Sequence, residues 1–438
     1  MSFTIDRQSQ DELNLMGKFR QGSVYFLFNQ VKSRGGEQLL ERLYKNPLTN
    51  AQAINERSSI FSFFQKAELQ WPFDAQQVQQ MQEYTDASSG KGQLFNYLHI
   101  IVRKSLAALT RDERYKKLIQ GLQATIVTLK KCQSIVELLY QQPGPYQSRA
   151  ATMRTVLSQA TFTQLIETDI YAAISVKKLA EYDHLLKSKL SNDIRILLQF
   201  IAELDVNIAV GRVAAKNGLA WAHAQPEEAN IFNATNLRHP CIEKAIGNDI
   251  AMQAKSNVVF LTGANMAGKS TWMKTIGISV YLAHIGFPVA ADTMEFSVRE
   301  GIYSSINVAD NIALGYSHFY AEVVRVKNAA DATATGKHLL LMFDELFKGT
   351  NVKDAFDGTL AVTEAFAEYR NCLFIVSTHI IEVGEKLTNK PNIQFKFMPT
   401  VLEGSVPRYT YQLKDGITED RQGMMIISNE GILQLIEG

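Results

Sequence analysis

Two hydrophobic rhythms divide the chain. Between about residues 94 and 222, apolar positions return every three or four residues, as at Leu118, Leu122, Thr125, Leu129, Cys132, Val136 and Leu139. That is the spacing of one helix face. Pro143-Gly144-Pro145 breaks the rhythm, because proline cannot continue a helix. A second long stretch begins near Asn192 and runs through Ile194, Leu197, Ile201, Leu204 and Ile208. Helices of this length predict rods or levers. The glutamine cluster of residues 76–82 reads as a polar helix face.

Later in the chain the pattern becomes short unbroken apolar runs: Val258-Val259-Phe260-Leu261, Leu339 to Phe343, and Leu373-Phe374-Ile375-Val376. Such runs, alternating with helical stretches, predict a parallel sheet covered on both faces. The change falls near residues 221–235, where Pro226 and Glu227-Glu228 interrupt the pattern, and no internal repeat is read.

The apolar runs end on chemistry. The first enters Gly263-Ala264-Asn265-Met266-Ala267-Gly268-Lys269-Ser270-Thr271, which fits GxxxxGK[ST] between a strand and a helix. The glycines let backbone N–H groups close around phosphate oxygens, Lys269 can reach the β- and γ-phosphates, and the Ser270 hydroxyl can hold Mg²⁺. The second run delivers Asp344 and Glu345 to the carboxyl end of a core strand, beside that loop in a doubly wound sheet. Asp344 is expected in the Mg²⁺ shell, and Glu345 to orient and polarise an attacking water. The third run ends on His379, placed to donate a hydrogen bond to the γ-phosphate or the water.

Composition narrows the field. The 438 residues are 46% hydrophobic and 20% charged, which excludes a disordered or fibrous chain. No apolar run approaches the ~18–20 residues needed to cross a bilayer, and the polar amino end shows no signal or transit peptide. A cytoplasmic protein without a membrane partner is expected. Cys132, Cys241 and Cys372 have no CxxC spacing and the histidines form no HxxxH or HExxH, so no metal beyond Mg²⁺ is expected. The overall charge of +1 hides an asymmetry: residues 1–220 carry 27 Lys and Arg against 20 Asp and Glu, and residues 221–438 carry 18 against 24. The basic half could face a polyanion or could be a solvated helical surface.

The motifs resemble those of the MutS family of DNA mismatch-repair ATPases. Thr262 to Thr271 is similar to the family's TGPNMxGKST, with Ala264 in place of proline; Asp344 to Thr350 to its DEIGRGT; Ser377-Thr378-His379 to its ATH; Arg238-His239-Pro240 to its RHP; and Ser317 to Glu322 to its STFMxEM. More loosely, Lys32 to Leu40, Pro47-Leu48 and Ile54 to Arg57 resemble the start of the family's helical core, and Ala202 to Asp205 the return of its lever. The resemblance implies a helical core segment over 1–90, a long-helix lever over 91–222 and an ATPase domain over 223–438. The implied fold is an α/β P-loop NTPase domain of the ABC type, preceded by a mainly α-helical core and lever domain. ATP and Mg²⁺ are the implied cofactors. The implied assembly is a homodimer through the ATPase domains, with Ser317 acting in trans on the γ-phosphate; from the residues alone Ser317 reads as a helix cap. No stretch resembles the family's mismatch-reading domain, so a shortened MutS-like protein engaging double-stranded or branched DNA is expected. An ATP-gated protein-interaction module stays open beside it.

Overall fold

The computed structural model describes residues 2–17, 21–87, 93–110, 113–169, 174–306, 318–403 and 406–418. The chain forms two units that interleave along the sequence, one of residues 29–43 and 59–212, the other of residues 1–28, 44–58 and 213–438.

The first unit is helical among its described residues. The rhythm starting at Leu118 becomes the helix Arg114–Gln141, with Leu118, Leu122, Thr125, Leu129, Cys132, Val136 and Leu139 all buried. It ends before Pro143, as the proline requires. Helix Ala75–Asp86 packs so closely on it that a Cβ on Gly121 would lie 2.6 Å from the Tyr84 Cβ. The second long rhythm is the helix Ser191–Asn217, preceded by a π-helical turn at Leu185–Lys189. Its buried Asp205 accepts from the N–H groups of Lys32 and Ser33 and, at 2.6 Å, from the Ser33 hydroxyl. Those bonds replace the water the carboxylate has lost.

The second unit is α/β. Among the described residues its main sheet has seven strands, in the spatial order Thr4–Ile5, Gly301–Ser305, Leu339–Asp344, Leu373–Ser377, Val258–Gly263, Ile393–Met398 and Lys414–Asp415. All neighbours pair in parallel except the last two. The mostly parallel sheet expected from the apolar runs is present, and those runs are its central strands. Phe366 stacks on Phe343 and Phe374 with centroids 5.4 and 5.0 Å away; each buried ring contributes about 1.5–3 kcal/mol. A four-stranded sheet of His223–Gln225, Thr293–Ser297, Phe232–Leu237 and Asn248–Met252 accompanies it.

The edge strand Thr4–Ile5 had no signal in the hydrophobic pattern. Two residues are too short for a period, and polar contacts fix it. Asp6 caps the helix Arg7–Glu12 and pairs with the buried Arg325, while Ser9 and Glu12 bond Ser304 and the N–H of Ile306.

Candidate functional site

The site lies at the carboxyl ends of three adjacent strands, Leu339–Asp344, Leu373–Ser377 and Val258–Gly263. The last runs into a tight loop and then the helix Lys269–His284. The loop needs its glycines. Gly263 has φ +143° and Gly268 φ +102°, where L side chains are strained, and a Cβ on Gly268 would meet the Tyr411 ring at 2.9 Å. Met266 also has positive φ, at 70°, and is 77% exposed. Ala264, Asn265 and Ala267 complete the loop, with the Ala267 N–H donating to the Ala264 carbonyl at 3.2 Å.

Lys269 is buried, and its ammonium donates to the Gly263 and Ala264 carbonyls at 2.8 and 3.1 Å. Burial lowers its pKa, partly offset by the charges of Asp344 and Glu345. An ammonium has three donors, so one remains beyond these two bonds. Thr271 follows in the first turn of the helix. The Ser270 hydroxyl donates to Asp344 Oδ2, whereas among the described residues Asp344 Oδ1 is buried without a hydrogen-bond partner. Burial raises the Asp344 pKa, against the Ser270 bond and the nearby Ser377 hydroxyl, which lower it. A buried, unshared carboxylate oxygen beside a hydroxyl is a donor set that suits a hard divalent cation such as Mg²⁺. No group of three or more His, Cys, Asp or Glu that could hold a metal occurs among the described residues, so a cation here would take its other ligands from substrate oxygens and water.

Glu345 has φ +52°, a left-handed conformation costly for a side chain with a Cβ. Its N–H donates to the Ser377 carbonyl at 2.7 Å, which holds the backbone there. Its carboxylate stands 3.7 Å from His379 Nδ1. The interaction lowers the Glu345 pKa and raises that of His379. Lys269, Ser270, Asp344, Glu345 and His379, drawn from three separate stretches of sequence, thus meet at one place. Ser317 lies outside the described residues.

Lys269, Ser270, Thr271, Asn265 and Glu345 line a cavity of about 720 Å³. Part of its wall is built by residues the motifs did not single out for this purpose: Ile242, Ile246, Trp272 and Tyr411. His239 joins them, its pKa lowered to about 4 by burial and Lys274. The Arg-His-Pro element was the only sequence signal for that wall. Tyr411 had none: Asn248 holds its carbonyl from 163 positions away.

Residues 259–436 match the family model for MutS domain V. The chain is 32% identical over 206 residues to the DNA mismatch repair protein MutS of Anaplasma phagocytophilum (strain HZ), covering 46% of this chain and 25% of that protein. It is 28% identical over 288 residues to the DNA mismatch repair protein MutS of Petrotoga mobilis (strain DSM 10674 / SJ95), covering 63% and 33%. The chain therefore spans about a quarter to a third of the length of these relatives.

Proposed function

We propose that this chain, whose residues 259–436 match the model for MutS domain V, hydrolyses ATP at a P-loop site of the ABC type and uses the nucleotide cycle to control engagement of double-stranded or branched DNA. One observation carries the reading. A buried ammonium, a serine–aspartate pair with one open carboxylate oxygen and a glutamate–histidine pair converge where three parallel strands end beside a cavity.

In this reading the backbone N–H groups of residues 263–270 cradle the phosphates, and the free donor of Lys269 takes a β- or γ-phosphate oxygen. Ser270 and Asp344 would hold Mg²⁺, which when bound neutralises charge developing on the phosphates. Glu345 orients and polarises water, whose oxygen bonds to the γ-phosphorus as the bond to the ADP oxygen breaks and the water's proton passes to the Glu345 carboxylate. His379 holds Glu345 in its charged form and donates toward the γ-phosphate. Ser317 of the second subunit of a homodimer completes the site. The DNA part draws on the relatives' names and on the cationic surplus of residues 1–220. No helix among the described residues is long and apolar enough to cross a membrane, and a cytoplasmic location is part of the proposal.

The test is hydrolysis and nucleotide binding by the whole chain, with and without duplex and branched DNA. Lys269→Ala is expected to weaken ATP binding, because it removes the charge that meets the phosphates. Unchanged ATP affinity overturns the phosphate assignment. ATP-dependent turnover that ignores every DNA, with no DNA bound near 50 mM salt, overturns the DNA part and favours an ATP-gated protein-interaction module.

A further inference from the structure

The helical unit has a pocket that the nucleotide chemistry does not use. It is a cavity of about 430 Å³ where the end of helix Ala75–Asp86, the helix Gln93–Thr110, the start of helix Arg114–Gln141 and the π-helical turn Leu185–Lys189 meet. Four cationic side chains line it: Arg103, Arg114, Lys117 and Lys187. Among the described residues Glu83 is the one acid in the lining, and its carboxylate accepts from Gln79 at 2.8 Å. Lys187 is tied down, paired with the buried Asp183 at 2.7 Å and lying 4.3 Å over the Tyr84 ring. Asp183 also accepts from Asn96 at 2.8 Å, so the carboxylate behind the pocket is already engaged.

Arg103 is different. Among the described residues its Nε is buried and has no hydrogen-bond partner. A guanidinium presents its donors in a fixed fork that matches phosphate oxygens. The surroundings are electropositive beyond the pocket wall: burial first, then the charges of Arg103 and Arg114, lower the pKa of His99 on the same helix. A π-turn, a fold irregularity that recurs at functional sites, supplies Lys187. The cavity falls within the usual range for a small ligand group.

We propose that this pocket is a phosphate-binding site, and that the phosphate it takes is a backbone phosphodiester of DNA. The source of the phosphate rests on the DNA reading above; the anion site itself rests on Arg103 and its neighbours. The site localises part of the cationic surplus of residues 1–220 to one place, which the sequence could not do, since its cations lie on two helices and a turn.

The test uses Arg103→Gln and Lys117→Gln in the whole chain, with Lys66→Gln as a charge-matched control on an exposed position elsewhere in the same unit. Unchanged circular dichroism and DNA-free ATP hydrolysis mark the variants as folded; Lys117 is exposed, so its variant serves if that of Arg103 does not fold. Binding of a 30-base-pair duplex is followed by anisotropy from about 50 to 200 mM salt, and binding of inorganic pyrophosphate by calorimetry. Each phosphate contact removed is expected to lower the salt slope by about 1, so both pocket variants lose that much and Lys66→Gln does not. Both variants also lose one pyrophosphate site, leaving the nucleotide site. If the wild-type chain binds no DNA but the variants still lose a pyrophosphate site, the DNA source falls and the anion site stands. Salt slopes and pyrophosphate binding that match the control overturn the site.

Discussion

Glu345 carries the sharpest residue-level consequences. In the proposed reaction its carboxylate, held by a left-handed backbone and by His379, orients the attacking water. Glu345→Gln keeps the size and loses the charge; ATP binding is expected to persist while turnover falls by at least a hundredfold, the scale of general-base loss. Near-normal steady-state turnover assigns water activation to another group. The same pair fixes a pH signature. His379 has its pKa raised above its usual 6.5, with the bond to Glu345 the largest cause, and Glu345 has its own lowered below 4.5 by the same bond. The stabilisation from His379 is fully present below pH 6.5 and is lost as pH rises through the raised value; that from Glu345 is present above pH 4.5 and is lost as pH falls through the lowered one. The ion pair is therefore strongest between the two. In Glu345→Gln the largest upward cause is gone, so the imidazole titrates lower. An NMR titration that finds His379 unmoved refutes the pairing. The sequence placed Asp344, Glu345 and His379 at strand ends because an apolar run is a local signal. Their mutual bonding depends on strand register, which is not local.

Among the elements, the phosphate-type loop was legible because its glycines answer a local backbone demand. Gly268→Ala puts a Cβ at φ +102° and 2.9 Å from Tyr411. A loss of about 1–3 kcal/mol in stability is expected, with weaker ATP binding; equilibrium urea unfolding and nucleotide titration measure both, and a neutral result denies the strain. The long helices were legible from periodicity. The edge strand Thr4–Ile5 was not, because its stabilisation comes from Asp6, Ser9 and Glu12 meeting Arg325 and Ser304 about 300 positions later. Asp6→Ala leaves Arg325, 8% exposed at its side chain, without that partner. Charge-assisted bonds of this kind are worth about 1.5–3 kcal/mol. Thermal unfolding is the check, and an unshifted midpoint shows that the segment contributes nothing.

At the scale of the whole molecule, the composite-site proposal predicts complementation. Ser317→Ala and Lys269→Ala are each expected to depress hydrolysis by a dimer. Mixed in equal amounts, they leave one intact site in each heterodimer, so part of the activity returns; no return counts against sharing in trans. The interleaved organisation has a further consequence for how the chain is made. Thr4–Ile5 leaves the ribosome roughly 300 residues before Gly301–Ser305, the strand it pairs with. At about 5–20 residues per second, the first segment waits roughly 15–60 s for its place in the sheet, and during that interval Leu13, Leu15 and Phe28, all fully buried in the finished unit, lack later partners such as Phe287, whose ring packs against Phe28. The early apolar segment is thus a natural client for whatever guards nascent chains, and slowing translation ahead of residue 301 should lower the yield of folded protein more than slowing it afterwards.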